Sequence, residues 1–260
     1  METNFDRRIF QFFTIWYVIG VFLLSFSLVP PWLEWANVVF LITSGVVSML
    51  FFYRSSSKLS GIFAIAVIFI LSMAIESFGV HTGLFFGEYT YLGDFGPKVA
   101  GVPITIGFAW VMVMAVSHVM ASGIISIVPK LPGLVYALYG AIIAVSLDLI
   151  IDPVAYEVKQ YWVWHESGLY YGIPFSNFLG WFILSFILHL VLYALFSRGT
   201  SWTNRRSRPW KNRMIWLFGM MNGMFIIVAF AHGLMLAPVL SLSLTAVYYG
   251  IYYIMKGGRK

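Results

Sequence analysis

The stretch "LSGIFAIAVIFILSMAIESFGV" (residues 59–80) decides the fold class of this chain. It is long enough to cross the hydrocarbon core of a bilayer, which takes about 20 mostly apolar residues in a helix. Similar runs recur along the whole sequence, in which 60% of the residues are hydrophobic and 10% are charged. Soluble domains carry about 25% charged residues. The sequence therefore predicts a multi-pass protein of the cell membrane, surrounded by the lipid bilayer.

Eight candidate spans follow one another along the chain. They predict an all-α, polytopic helix bundle that forms a single integral-membrane domain over residues 1–260. The predicted spans are 9–29, 36–53, 59–80, 103–127, 132–152, 172–197, 213–235 and 237–255. Prolines such as Pro103, Pro132, Pro153 and Pro174 stand at or next to their ends, and a proline disfavours helix in the residue before it.

Lysine and arginine residues predict the orientation of the bundle. If the N-terminus is cytoplasmic and the chain crosses eight times, every lysine and arginine except Lys98 and Lys159 falls on the cytoplasmic side. Positive charge in short loops is enriched on that side. Both termini are therefore predicted to be cytoplasmic. The net charge of +6 has the same explanation, and no nucleic-acid partner is predicted.

Acidic residues are concentrated at the opposite, outer face, and the rule for positive charges does not explain this. Those at or near that face are Glu34, Glu76, Glu88, Asp94, Asp148, Asp152, Glu157 and Glu166. We infer that the outer side of the bundle uses carboxyl groups.

Three of these carboxyl groups lie within the predicted spans. Asp148 and Asp152 are four residues apart in "SLDLIIDPV", so they share one helix face. Two carboxyl groups this close in a poorly hydrated site do not readily both ionise, so one is expected to hold a proton. Glu76 is flanked by apolar residues, and an intramembrane carboxyl group is by default a candidate functional group. The structural alternatives are a helix cap for Asp152 and interhelical hydrogen bonds for Asp148 and Glu76.

The segment after Glu76 adds two further candidate catalytic residues, His81 and Glu88. Glu76 and His81 are separated by about 140° on a continuous helix, so they converge only if the helix ends near Gly79. The loop at 87–103 is long and rich in glycine, as functional loops often are. The aromatic residues of the outer loops are Phe85, Phe86, Tyr89, Tyr91, Tyr161, Trp162, Trp164, Tyr170 and Tyr171. They either form an interfacial belt or line a site for a flat apolar ligand or a developing cation.

The cysteine and histidine content excludes several kinds of chemistry. The chain has no cysteine, so disulfides, thiolate metal sites and cysteine nucleophiles are absent. Its five histidines are not clustered as membrane di-iron enzymes require. His118, His189 and His232 each stand alone in an apolar span and are interpreted as core residues. No metal and no other cofactor is predicted.

Three stretches resemble the integral-membrane carotenoid biosynthesis protein family, whose best-understood members are CruF-type hydratases of acyclic carotenoids. They are "GVHTGLFFGEYTYLGDFGPKVAGVPITIGFAW" (79–110), "SLDLIIDPVA" (146–155) and "YYGIPFSNFLGWF" (170–182). The resemblance implies addition of water across the terminal C1=C2 bond of a ψ end group, giving a tertiary alcohol without oxygen, metal or redox cofactor. The polar positions that fit the family pattern are Glu76, His81, Glu88, Asp148, Asp152 and Asn177.

The resulting hypothesis assigns a role to each carboxyl group. Glu76 acts as the acid, and Asp148, helped by Asp152, places the water. The predicted substrate-binding residues are Tyr89, Tyr91, Phe85, Trp110 and Asn177. An acyclic carotenoid is roughly as long as the hydrocarbon core is thick, about 30 Å, and would lie between helices. Other enzymes of carotenoid synthesis are possible protein partners.

Two other functions remain open at this point. "DLIID" has the DxxxD spacing with which membrane prenyltransferases hold magnesium diphosphate, although the sequence has only one such motif. A proton-coupled transporter or a lipid-binding scaffold would also use intramembrane carboxyl groups. However, carrier sites usually lie at the membrane midplane, whereas these groups lie near one face.

Overall fold

The structure is a computed structural model that describes residues 3–92, 95–128, 130–197 and 208–257. Within these residues, eight helices are long and apolar enough to cross a membrane. They are α1 (Asn4–Ser25), α2 (Trp35–Ser55), α3 (Lys58–Thr82), α4 (Ile104–Ala121), α5 (Pro132–Pro153), α6 (Phe175–Phe196), α7 (Arg208–Ala231) and α8 (Leu236–Gly257). The predicted all-α bundle of eight spans is thereby confirmed. The cytoplasmic placement of both termini and the single-domain organisation stay predictions, and Asp94 lies outside the described residues.

Local signals set the ends of α3, the helix that carries Glu76. The helix begins after Ser57, whose hydroxyl accepts a hydrogen bond from the Ser60 amide, as an N-cap does. It ends at Gly83, which has a φ of +69°, a conformation that glycine adopts without steric cost. The helix therefore runs past Gly79 and includes His81.

Several predicted spans have different ends in the structure; for example, the span predicted at 9–29 is Asn4–Ser25 and the one at 213–235 is Arg208–Ala231. The span predicted at 103–127 consists of α4 and a separate 3₁₀ turn at Ile124–Ser126. The span predicted at 172–197 begins later, because α6 starts at Phe175. Pro174 precedes it and restricts the backbone before it to extended conformations.

Helix α4 lies at the centre of the bundle. It has only 18 residues, yet all of those from Trp110 to Ala121 are buried. It packs against α2, α3, α5 and α7. By contrast, α1 is peripheral and buries only Asp6 and Phe13. The helices that carry the intramembrane carboxyl groups, α3 and α5, therefore flank the best-buried helix.

Glycines allow α5 and α6 to pack closely. A Cβ atom at Gly140 would overlap the His189 ring, and one at Gly133 would lie 2.6 Å from Tyr193. Close packing of these two helices places Asn177, in the first turn of α6, beside the end of α5.

Two short antiparallel pairs of strands cover one end of the bundle. Strand β1 (Tyr89–Tyr91) pairs with β4 (Trp162–Trp164), while β2 (Lys98–Val99) pairs with β3 (Val102–Pro103). We call the β1–β4 pair the aromatic ribbon. Its register places Tyr89 opposite Trp164 and Tyr91 opposite Trp162. Opposite residues share a face of a two-stranded sheet, so all four rings lie on one side of the ribbon.

Candidate active site

Glu76 is buried and accepts hydrogen bonds at both carboxyl oxygens. The Tyr89 hydroxyl donates to Oε2 at 2.6 Å, and the Trp110 indole N–H donates to Oε1 at 3.0 Å. Burial and the neighbouring Glu76 carboxyl raise the pKa of the Tyr89 phenol above its ordinary value, so this hydroxyl keeps its proton and acts as a donor. The interhelical hydrogen bond considered for Glu76 is therefore present, together with a bond from the ribbon.

Asp148 and Asp152 form a second acidic group, held by Asn177. The Asn177 amide nitrogen donates to Oδ2 of Asp148 at 2.9 Å and to Oδ2 of Asp152 at 2.7 Å. The two aspartate carboxyl groups therefore lie close together around one amide nitrogen. Asp148 is fully buried, and its Oδ1 has no hydrogen-bond partner among the described residues. Two carboxyl groups and one amide thus make a compact polar cluster inside the membrane span.

The end of α5 does not form the water-exposed cap considered for Asp152. The helix passes into a π-helical turn at Val154–Val158, and Asp152 is 3% exposed. Single π-helical turns are rare and frequently lie at functional sites. The turn keeps Asp152 inside the bundle.

Glu76 and Asp152 line the same cavity, which has a volume of about 180 Å³. Asn177, Tyr89, Tyr91 and Trp110 also line it, whereas Asp148 lies behind Asp152 and does not. Of the two aspartates, Asp152 is therefore the one at the surface of the cavity.

Aromatic rings form the walls around these polar groups. The rings beyond the predicted substrate-binding set are Phe86, Phe95, Tyr161, Trp162, Trp164 and Trp181. Trp110 and Trp181 stack with ring centroids 4.4 Å apart, and Tyr89 lies 5.1 Å from Trp164. Ring faces attract positive charge, so this end of the cavity suits a cationic intermediate.

Away from the carboxyl groups, the cavity continues as an apolar arm between α1, α2 and α7. The residues of this arm are Trp16, Gly20, Leu23, Leu24, Ala36, Phe40, Leu41, Met221, Met224, Phe225 and Val228. A ligand that fills the cavity would therefore meet Glu76 and Asp152 on one part of the lining and apolar side chains on the other.

A polar rim joins the start of α2 to the π-helical turn. Lys159 Nζ lies 3.2 Å from Glu34 Oε1, and the Asn37 side-chain amide donates to Glu34 Oε2 at 2.9 Å. Lys159 and Asn37 line the cavity. Lys159 is one of the two basic residues that are not predicted to lie on the cytoplasmic side. It pairs with Glu34, one of the acidic residues predicted at the outer face.

Besides Asp148, three other predicted site residues do not line the cavity. His81 and Glu88 are exposed, and His81 Nδ1 lies 2.7 Å from the Ser77 carbonyl oxygen. Since α3 continues to Thr82, Glu76 and His81 do not converge. Phe85 packs against Phe86 with centroids 5.0 Å apart, and it is Phe86 that reaches the cavity.

Some residues that line the cavity were not predicted, because few features of the sequence distinguish them. Trp181 lies four residues after Asn177, which is the spacing of one helix face. That spacing could have indicated a shared orientation toward the cavity. The apolar arm has no comparable signal, because its residues resemble ordinary lipid-facing or core residues.

In the described part of the chain, no three histidine, aspartate or glutamate side chains come close enough to hold a metal ion. The two aspartates share the Asn177 amide as a hydrogen-bond donor, but Glu76 comes from a different helix and accepts hydrogen bonds from Tyr89 and Trp110. The DxxxD spacing therefore produces a carboxyl pair bonded to an amide.

The fold and the site together define a polytopic helical membrane protein with an apolar, aromatic-walled cavity that holds carboxyl groups at one end. Residues 36–248 match the sequence profile of a family described as carotenoid biosynthesis protein. The chain belongs to this family, which confirms the resemblance seen in the sequence.

The chain is also similar to a curated protein. The chain is 27% identical over 137 residues to a bisanhydrobacterioruberin hydratase of Haloarcula japonica. The match covers 52% of this chain and 45% of the relative, so it spans about half of each protein. No solved structure matches the chain.

Proposed function

We propose that this protein is a hydratase that adds water across the terminal C1=C2 double bond of an acyclic carotenoid with a ψ end group, giving a tertiary alcohol. Membership of the carotenoid biosynthesis family and the similarity to a hydratase support this proposal. The observation that carries it is the presence of Glu76 and Asp152 in one apolar cavity walled by aromatic rings.

The reaction needs an acid, a water molecule and a base. The acid's O–H bond breaks, and its proton forms a C–H bond at C2 with the π electrons, which leaves a tertiary cation at C1. Water then forms the C–O bond and loses a proton to a carboxylate. The net change is the addition of one water molecule, without electron transfer. General acid–base catalysis of this kind contributes about 10²–10⁴-fold to a rate.

Two assignments of the acid are possible. In the first, Glu76 donates the proton and the aspartates place the water, with Asp152 rather than Asp148 in contact with it. In the second, the aspartate pair donates through Asp152, and Glu76 accepts the proton that water loses. We favour the second, because two buried carboxyl groups that share one amide donor are close enough to hold one proton between them, whereas both Glu76 oxygens already accept hydrogen bonds.

The walls have a separate role in this proposal. The stacked Trp110 and Trp181 rings and the ribbon rings Tyr89 and Trp164 line the part of the cavity that holds the carboxyl groups. Their faces would stabilise the tertiary cation. Their bulk would also limit access of further water, which favours a single addition.

The proposal is tested with purified protein in detergent, an acyclic carotenoid with a ψ end group, and water enriched in heavy oxygen. We expect the tertiary alcohol to carry the heavy isotope from water. Label that comes from molecular oxygen would indicate an oxygenase. Failure to form any alcohol would contradict the proposal, and proton-coupled uptake by reconstituted vesicles would then support the transporter alternative.

A further inference from the structure

We propose that the apolar arm between α1, α2 and α7 is the binding subsite for the polyene of the substrate, and that the carotenoid enters it sideways from the bilayer past the second half of α1. This inference rests on the proposed function and deepens it. It assigns residues that take no part in the chemistry to recognition of the carotenoid body.

The arm has the shape and chemistry that a polyene requires. Met221, Met224, Phe225 and Val228 follow the spacing of one helix face and extend for about 10 Å along α7 at 1.5 Å per residue. The opposite wall on α1, from Trp16 to Leu24, extends for about 12 Å by the same rise. Both stripes line the cavity that holds the carboxyl groups.

A hydrocarbon bound in the arm would not leave any side-chain hydrogen-bond donor of the arm without a partner. Its one side chain with a hydrogen-bond donor is Trp16, whose indole N–H donates to the Ala36 carbonyl at 3.1 Å. A buried donor without a partner would oppose an apolar ligand. Since this donor is satisfied within the protein, the arm accepts a hydrocarbon without further desolvation.

The second half of α1 is a wall of the cavity that contains no buried residue. The only buried residues of α1, Asp6 and Phe13, lie in its first half. Asp6 fixes that half through an ion pair with Arg54 at 3.2 Å. Gly20 lines the cavity, and a Cβ atom built there would have no neighbour within 4 Å. At Gly20 this half of α1 borders open space, while Tyr17, Val21 and Leu24 on either side of it pack against the core.

An exposed hydrogen bond joins the residues that follow α1 and α7. Ser27 Oγ lies 3.1 Å from His232 Nε2. An exposed hydrogen bond contributes little to stability. We expect this end of the seam between α1 and α7 to open more easily than the end held by Asp6, which gives a carotenoid a route from the bilayer into the arm.

The first test fills the arm. Gly20→Phe places a ring in the open space, and Gly250→Phe is its matched control, because Gly250 on α8 also has no neighbour within 4 Å and does not line the cavity. Binding is measured by quenching of tryptophan fluorescence with a full-length acyclic carotenoid and with a shortened carotenoid aldehyde that keeps one ψ end. We expect Gly20→Phe to weaken binding of the full-length carotenoid at least tenfold, with a smaller effect on the short one.

Binding and turnover separate the two proposals. If the wild-type protein binds carotenoid but forms no alcohol, the proposed function fails, and the comparison of the two glycine variants still decides the subsite. If Gly20→Phe binds and hydrates the full-length carotenoid as well as wild type does, the subsite assignment is wrong. A wild-type protein that neither binds nor hydrates the carotenoid would overturn both.

The second test cross-links α1 to α7 reversibly at the end of the seam between them. It does not require a variant with a bulky side chain to fold. The natural chain has no cysteine, so Ser27→Cys with His232→Cys can be joined by a short bifunctional thiol reagent that reductant removes. The control pair is Thr90→Cys with His165→Cys. In the native chain the Thr90 hydroxyl and the His165 ring make a similar contact of 2.7 Å across the ribbon. We expect the seam cross-link alone to slow carotenoid binding at least tenfold, with recovery on reduction. Equal rates with and without the seam cross-link would overturn the entry route.

Discussion

Asn177 is the residue that organises the acidic cluster, because its amide nitrogen donates to both Asp148 and Asp152. Asn177 is 3% exposed, so these bonds lie away from bulk water. The amide satisfies one oxygen of each aspartate and leaves the pair to share a proton. In the proposed mechanism Asp148 is a positioning residue, and Asp152 is the aspartate that lines the cavity.

The roles of Asp152 and Glu76 can be separated in heavy water. We expect Asp152→Asn and Glu76→Gln each to lower hydration by about 10²–10⁴-fold, the usual contribution of an acid or a base. With Asp152→Asn, the recovered carotenoid should carry no deuterium at C2, because the proton donor is lost. With Glu76→Gln, deuterium should accumulate there, because the cation forms and returns to the alkene without capturing water. Mass spectrometry of recovered substrate and product measures both effects.

Glu166→Gln is the control, since Glu166 is exposed and lies outside the cavity. Its hydration rate should equal that of wild type. The opposite deuterium pattern would assign the acid to Glu76, as the sequence-based hypothesis does. Wild-type hydration by both cavity variants would show that neither carboxyl group acts in the reaction.

At the scale of elements, the site depends on how closely α5 and α6 approach. Gly140 faces the His189 ring without space for a Cβ atom. His189 is fully buried, with Nδ1 2.7 Å from the Ser185 carbonyl oxygen and Nε2 3.2 Å from Ser117. The isolated histidine of the sixth span is thus a hydrogen-bonded core residue. The contact with Gly140 fixes the spacing that lets Asn177 reach both aspartates.

Gly140→Ala should therefore separate α5 from α6. Overpacking a close contact costs about 1–3 kcal/mol, and we expect both a lower melting temperature in detergent and a reduced hydration rate. Gly250→Ala is the matched control, because it adds a Cβ atom where nothing lies within 4 Å. Alanine has the higher helix propensity, by about 1 kcal/mol, so the control should be unchanged or more stable. Unchanged melting and turnover for Gly140→Ala would contradict this account of the packing.

At the scale of the whole molecule, the predicted orientation places the carboxyl groups and the ribbon on the outer side of the membrane. A water molecule for hydration would then come from the outer aqueous phase. The Lys159–Glu34 pair at the rim of the cavity lies at that side and joins the first turn of one span to the end of another. Orientation thus determines which compartment supplies the second substrate.

Labelling of single cysteines tests the orientation, because the natural chain has none. Ser57→Cys lies between α2 and α3, and Glu166→Cys lies between α5 and α6; both positions are exposed. A thiol reagent that cannot cross membranes, added to intact cells, should label Glu166→Cys alone, and disrupted cells should be labelled at both. Labelling of Ser57→Cys in intact cells would contradict the predicted orientation and indicate the opposite one.

The sequence alone determined the class of fold and indicated the carboxyl groups of the candidate site. Runs of about 20 apolar residues form helices in a bilayer, because backbone groups there must be hydrogen-bonded internally. Carboxyl groups within such runs, Glu76 and Asp148 among them, stand out because burying them is costly. The contact between Asp148 and Asp152 follows from helical spacing, which is a local property of the chain.

Only the tertiary structure decided which of these residues face a common space. Asp152 lines the cavity while Asp148 lies behind it, and His81 and Glu88 lie outside because α3 continues to Thr82. The apolar arm is also a product of packing, since Gly20, Phe40 and Met224 come from three helices far apart in sequence. The sequence does not show whether an apolar residue will line a cavity, pack in the core or face lipid. The same preference for apolar surroundings favours all three positions. Their position is fixed only when the helices pack against one another.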